Sequence, residues 1–269
     1  MPNALDQFQA GCLNDAISAA ADQVRNKPGE IAHRWLLCEL LCFAGDLERA
    51  DKHLDLIGNQ DPRAASTAAL FRQLIRAETA RQQFFTQGRV PEFLAEPSED
   101  LKLRLAASIR IREGASTEAA QMLEQARQAS PAIKGQCDGQ AFDGICDLDD
   151  LTSSVFEVLT STGKYYWIPM HSVQELEFRA PSGVRDLLWR QARMAVSGGP
   201  DGEVYLPALY PNSHSSSDDR LRLGRSTEWT GGDAEPSRGV GQRMFMIGED
   251  ARAIGDVTRI EFDHAEGSR

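Results

Sequence analysis

The residues best equipped for chemistry lie in the second half of the chain. His171, His214 and Asp218, with Ser215, Ser216 and Ser217 close by, are the residue types of a nucleophilic triad. In such a triad an imidazole takes the hydroxyl proton and a carboxylate orients the ring. Presenting the serine on a strand-to-helix elbow takes a Gly-x-Ser-x-Gly sequence, and the chain has none. The serines fall instead in a polar stretch, 212–219, that reads as a solvated loop. A hydrolase centred on His171 and His214 is therefore the weakest functional alternative. Cys137 and Cys146 have Asp143 and Asp147 nearby, but they lack the close cysteine or histidine pairs of a zinc site. The run Asp143-Gly-Ile-Cys-Asp-Leu-Asp-Asp150 is acidic enough for calcium, yet it lacks the alternating ligands, central glycine and distal glutamate of an EF-hand loop. It reads as a solvated loop with a helix N-cap. Gly239-Val-Gly241-Gln-Arg-Met lacks the third glycine of a phosphate-cradling loop and reads as a turn entering a strand. No metal, no cofactor and no catalytic residue is expected. Trp35, Trp167, Trp189 and Trp229 read as core or half-polar anchors whose indole N–H groups need acceptors.

The elements that carry these residues follow from composition. A chain of 269 residues makes one large domain or two ordinary ones. Its 29 basic and 40 acidic side chains leave a net charge of −11, the wrong sign for a nucleic-acid or anionic-membrane binder. The apolar run Trp35–Ala44 is far shorter than the roughly 20 residues that cross a bilayer. No basic cluster followed by an apolar core opens the chain, so no signal peptide is expected. Five cysteines, an odd number thinly spread, suit reduced thiols in a cytoplasm. The two halves differ in texture: Ala, Leu and Gln dominate the first, while glycine and short Val-, Tyr-, Trp-, Ile- and Phe-rich runs mark the second. The boundary falls near Pro131–Gln140, dividing the chain into 1–135 and 136–269.

An internal period organises the first half. Gly11, Ala16 and Pro28 recur 34 residues later as Gly45, Ala50 and Pro62. The triplet returns 69 residues further on as Gly114, Ala119 and Pro131. Thirty-four residues is the tetratricopeptide period, one helix–turn–helix per unit. Glycine permits the tight turn, a small alanine lets the helices approach, and proline stops the second helix. Ile31–Phe43 and Asp46–Leu56 have helical length and apolar spacing, with Asp46 as N-cap. The intervening unit, 63–97, lacks the glycine and carries Pro91 and Pro97 in an apparent loop.

In the second half Tyr165–Pro169, Val173–Phe178, Val204–Tyr210, Met244–Ile247 and Thr258–Phe262 read as strands. Val155–Leu159 reads as strand or short helix, and Leu187–Val196 as strand toward its end, with Ser197–Gly202 a turn. The expected fold is α+β: N-terminal all-α tetratricopeptide-like repeats followed by a smaller β-rich α+β domain.

Several ordered motifs give the chain a likeness. They are Arg34-Trp-Leu-Leu-Cys-Glu-Leu-Leu-Cys-Phe-Ala-Gly-Asp-Leu-Glu-Arg-Ala-Asp51, Tyr165-Tyr-Trp-Ile-Pro169, Arg185-Asp-Leu-Leu-Trp189 and Gly202-Glu-Val-Tyr-Leu-Pro-Ala-Leu-Tyr210, then Leu223-Gly-Arg-Ser-Thr-Glu-Trp229 and Arg238-Gly-Val-Gly-Gln-Arg243. In these the chain resembles the ImpE/TagJ (SciE) family of type VI secretion system accessory proteins, over nearly its whole length. The resemblance implies a cytoplasmic, non-catalytic accessory factor. It implies binding to the N-terminal helix of the small contractile-sheath subunit, TssB (VipA), and an indirect link with the ATPase ClpV, which recycles contracted sheath. The residues carrying the motifs are Trp167, Asp186, Trp189, Gly224, Arg225, Trp229, Gly241 and Arg243. Asp186 is a candidate to form a buried charge pair with Arg225 or Arg243.

A groove between stacked helix pairs can take the apolar face of a partner helix. Trp35, Leu40 and Phe43 are its candidate lining, with plain core packing as the competing role. A generic repeat scaffold for another cytoplasmic protein is the remaining alternative, and self-association is compatible with the sequence.

Overall fold

The computed structural model describes residues 3–263. The first half folds into seven helices: α1 (Ala4–Ala10), α2 (Leu13–Asn26), α3 (Ile31–Phe43), α4 (Leu47–Gln60), α5 (Ala65–Gln87), α6 (Glu99–Arg112) and α7 (Ser116–Ala129). The 34-residue signature is written in the backbone. Gly11, Gly45 and Gly114 follow α1, α3 and α6 with φ of +85°, +74° and +76°, the left-handed conformation that ends a helix at little cost only for glycine. Ala16, Ala50 and Ala119 are fully buried on the helices that come next. Asp46 caps α4, its carboxylate accepting from the Arg49 N–H at 3.3 Å.

The unit at 63–97 departs from the repeat. In place of a helix pair stands one unbroken helix, α5, of 23 residues and about 35 Å. Gly88 ends it in the left-handed region. The chain then runs as a strap, 88–98, to α6.

Among the described residues the chain after α7 contributes thirteen strands: β1 (Lys134–Cys137), β2 (Gln140–Asp143), β3 (Ile145–Asp147), β4 (Val155–Leu159), β5 (Tyr165–Pro169), β6 (Val173–Phe178), β7 (Trp189–Val196), β8 (Asp201–Pro207), β9 (Thr227–Thr230), β10 (Arg238–Gly241), β11 (Met244–Ile247), β12 (Asp250–Ala253) and β13 (Arg259–Phe262). A one-turn helix, α8 (Asp219–Arg222), precedes β9. An eight-stranded antiparallel sheet has the order β2-β1-β13-β6-β7-β8-β4-β5. A three-stranded sheet, β12-β11-β3, and the β9–β10 hairpin complete the α+β arrangement.

Several elements differ from the sequence reading. β8 begins at Asp201 and stops at Pro207, because the Gly198-Gly199-Pro200 turn feeds the ladder directly and proline ends it. Arg238–Gly241 is a strand and not a turn. The 212–219 stretch holds a 3-10 turn, Ser213–Ser215, with Ser213 buried. The acidic run is no solvated loop: Ile145–Asp147 is β3, and Asp147 and Asp149 are buried.

Strand periodicity places the core. Every residue of β4 is buried. Val155 and Leu159 join a cluster that also holds Leu37, Phe71, Leu74 and Phe84 of the helices. Phe156 and Val158 join a second cluster on the opposite face, with Leu176, Phe245 and Ile260. One hydrophobic core is thus common to the helices and one face of the sheet.

Candidate functional site

Period-two alternation turns Glu157 toward the helices, between Val155 and Leu159. Its carboxylate is wholly buried and is met by two arginines. Arg81 of α5 donates through Nε at 2.9 Å and through an Nη at 3.1 Å. Arg243, from the turn between β10 and β11, donates to Oε2, the oxygen that also accepts from the Arg81 Nη. The Tyr165 hydroxyl donates to Glu157 at 2.5 Å, and the Trp167 indole N–H donates to that hydroxyl at 2.6 Å. One turn back on α5, Glu78 accepts from Arg81 at 3.1 Å and from the Trp189 indole N–H at 3.2 Å. Arg243 also reaches Asp147 of β3, which accepts from the Tyr210 hydroxyl at 2.8 Å and from Thr152 at 3.1 Å. Arg238 and the Gly239 N–H donate to the buried Asp149. These groups form one lattice joining α5 to β3, β4, β5, β7, Tyr210 and the 238–243 segment.

The electrostatics follow from the count of charges. At the centre, Arg81 and Arg243 face three carboxylates, Glu78, Glu157 and Asp147. Burial opposes ionisation of all three. Glu157 touches both guanidiniums, and their fields overcome burial and hold it down to about 2. The carboxylates at the two ends absorb the imbalance. Burial pushes Asp147 up to about 6, against the pull of Arg243, and raises Glu78 as well. Both arginines stay charged: despite burial, their carboxylates push them further above their ordinary value.

A second tether binds α6. Buried Arg104 donates to the Asp150 carbonyl at 2.7 Å. Buried Asp100 accepts from the Ser154 hydroxyl at 3.2 Å. At the chain's start, Arg225 donates to the Phe8 and Gln9 carbonyls, the last turn of α1, at 2.5 and 2.9 Å.

Half of the motif residues serve these clasps. Trp167, Trp189 and Arg243 belong to the lattice, and Arg225 holds α1. Gly241 lies at φ +96°, where a Cβ would stand 2.2 Å from the Ser226 carbonyl oxygen. Its N–H donates to the Ser213 hydroxyl at 2.8 Å. A Cβ on Gly224 would lie 2.5 Å from Leu209. Asp186 pairs with neither Arg225 nor Arg243. It accepts from the Ser182 N–H and hydroxyl at 2.8 and 2.7 Å, and Arg185 approaches it at 3.3 Å. The neighbouring backbone satisfies it, and both arginines are committed elsewhere. Trp229 is no core anchor: it is 43% exposed and lies edge-on to Tyr210 at 5.5 Å.

Leu40 and Phe43 are 0% and 1% exposed and belong to the shared core, with Phe43 also bordering a small hollow. Trp35 is half-buried and stacks on Phe71 at 6.2 Å. The triad candidates do not converge. His171 lines a hollow beside the strap, whereas His214 packs on Gly45 in a separate hollow with Phe43 and Arg81. Ser213 and Ser215 donate to nearby carbonyls, and Asp218 caps α8. Burial pushes Cys38 up to about 12 and raises Cys42, Cys137 and Cys146, disfavouring the thiolate at each. Among the described residues no group of three His, Cys, Asp or Glu side chains is placed to hold a metal ion, and no helix is long and apolar enough to cross a membrane.

Fold and clasps together define an α+β protein in which a helical-repeat stack is locked onto an antiparallel sheet. Protein VPA1032 of Vibrio parahaemolyticus, solved by crystallography, has this fold: TM-score 0.91, with 24% identity and 98% of each chain covered. The ImpE protein family matches residues 139–261. The type VI secretion system accessory component TagJ of Pseudomonas aeruginosa PAO1 is 32% identical over 256 residues, 95% of this chain and 89% of that protein. The chain belongs to the ImpE/TagJ family of type VI secretion accessory components. Sequence reasoning missed Glu78, Arg81, Asp147, Asp149 and Glu157 as a set. Their only local signal is the Glu78/Arg81 spacing of three, which is equally that of a surface ion pair.

Proposed function

We propose that this protein is a non-catalytic, cytoplasmic adaptor of a type VI secretion system. It holds the N-terminal helix of the small contractile-sheath subunit, TssB (VipA), and so modulates sheath assembly or ClpV-dependent recycling. The observation that carries the reading is the 32% identity to the accessory component TagJ over 95% of the chain. The test is co-purification with the cognate small sheath subunit, intact and without its N-terminal helix. Capture of the intact subunit alone supports the reading. Equal capture of both forms, or capture of neither, overturns it.

A further inference from the structure

The strap 88–98 leaves an uneven apolar surface beside the edge of the large sheet. Two hollows flank Leu94 and share it with Val196 and Pro200. One, of about 210 Å³, is floored by Val158, Ile168 and Met194 and walled by Tyr166 and Val204. The other, of about 300 Å³, is bounded by Phe93, Leu101, Trp167 and Pro169. Each is many times the roughly 30 Å³ share of one water and has room for a large apolar side chain. Leu94 is 45% exposed between them. The floors themselves are buried, so an exposed leucine standing between two apolar hollows is the apolar contact offered to a partner.

The rim is acidic. Glu96 and Glu203 are exposed and line the hollows, and Glu92 is exposed on the strap two residues before Leu94. Glu96 has only a loose pairing with Lys102, at 3.6 Å between two exposed groups. Among the described residues Glu92 and Glu203 take part in no ion pair. Unneutralised carboxylates around an apolar floor, on a chain of net charge −11, favour a cationic occupant and repel an acidic one. The shape of that occupant follows from the sheet edge. The outer side of β5 is already engaged by the strap: the Glu92 N–H donates to the Tyr165 carbonyl at 2.9 Å, and the Trp167 N–H donates to the Glu92 carbonyl at 3.1 Å. The next outward position is Pro169, which has no N–H. An added strand finds no ladder there, whereas a helix needs only the apolar hollows.

We propose that the hollows on either side of Leu94 are the docking surface for a cationic amphipathic helix of a partner protein. Two apolar side chains of that helix fill the hollows, and its Lys or Arg side chains meet Glu92, Glu96 and Glu203. This rests on the adaptor reading above and assigns it a surface where the strap meets the sheet edge.

The test titrates full-length protein with a synthetic peptide of the cognate sheath subunit's N-terminal helix, by calorimetry at low and moderate salt. Leu94→Asp should weaken binding at least tenfold. Glu96→Lys combined with Glu203→Lys should do the same and flatten the salt dependence. Leu56→Asp, on α4 and 47% exposed, should change binding less than twofold. A peptide with its Lys and Arg replaced by Gln should bind at least tenfold more weakly. Near-UV circular dichroism checks the fold of each variant, and the charge reversals lie on exposed residues that no clasp uses. Binding to the native protein that is untouched by Leu94→Asp and by the charge reversals overturns this surface and leaves the adaptor reading standing. Failure of the peptide to bind the native protein overturns both.

Discussion

Glu157→Gln keeps the shape of the lattice's central side chain and deletes its charge. Removing one partner of a buried ion pair costs about 3–5 kcal/mol, because the other charge stays buried without compensation. Glu157 serves two guanidiniums, which pushes the loss upward. The surplus carboxylate works the other way. Glu78 is raised by burial and in part by the charge of Glu157, so it ionises more readily once that charge is gone, and Asp147 still faces Arg243. We therefore expect a loss near the lower end, about 3 kcal/mol at pH 7. At about 2–4 °C per kcal/mol for a chain of this size, Tm should fall by about 6–12 °C. Urea titration followed by tryptophan fluorescence reads the change, since Trp167 and Trp189 both belong to the lattice. The pH dependence has a definite sign. Glu157 is held down to about 2 against an ordinary 4.5, so its contribution is whole above pH 4.5 and fades as pH falls toward 2. The gap between native and variant protein must close over that window. Combined with Arg243→Met, Glu157→Gln should show a coupling of about 2 kcal/mol. A loss below about 1 kcal/mol at pH 7, or additivity within about 0.5 kcal/mol, would refute the lattice as a coupled unit.

Other perturbations test separate clasps. Gly45→Ala forces a side chain into the left-handed region at φ +74° with His214 only 2.5 Å from the new Cβ, whereas Gly114→Ala at φ +76° meets nothing within 4 Å. The second should cost about 1 kcal/mol and the first clearly more, a difference that thermal melts resolve. Burial pushes Glu39 up to about 7, against the pull of Arg185, so the folded chain binds its proton more tightly than the unfolded chain. Its ionisation then costs stability as pH rises from about 4.5 to 7, and Glu39→Gln should be more stable than the native protein above pH 7, with the advantage vanishing below pH 4.5. Denaturation midpoints across that range decide it, and a constant difference would count against the assignment. Arg225→Ala removes the donors to the Phe8 and Gln9 carbonyls and should speed amide exchange in α1, at a cost of about 1 kcal/mol; unchanged exchange there would show that the cap is idle.

The sequence revealed those elements that obey a local rule. Gly11, Gly45 and Gly114 were legible because a helix ending in the left-handed region leaves few alternatives to glycine. β5, β6, β11 and β13 were legible as apolar runs with the spacing or residue types of strands. β1, β2, β9, β10 and β12 are short and rich in Gly, Gln, Asp, Arg and Thr, and only their partners make them strands. α5 was hidden for a related reason: its buried face carries Glu78 and Arg81, which look like solvated surface until Glu157 arrives from 76 residues away. Asp147 and Asp149 were misread in the same way, since Arg243 and Arg238 neutralise them from 96 and 89 residues along the chain. The motif tryptophans pointed to the right neighbourhood, but the carboxylates that receive their N–H groups carried no signal of their own.

The joint ownership of one core has a practical corollary for dissection. Phe71 and Phe84 of α5 lie edge-on to Trp189 and Trp167 at 5.8 and 4.8 Å. A gene fragment stopping at Ala129 would strip those indoles away, leave bare rings in water and strand Arg81 without its main counter-ion. Excised halves would then report stickiness in place of recognition, and chimaeras between relatives should exchange α5 and the sheet as a matched set.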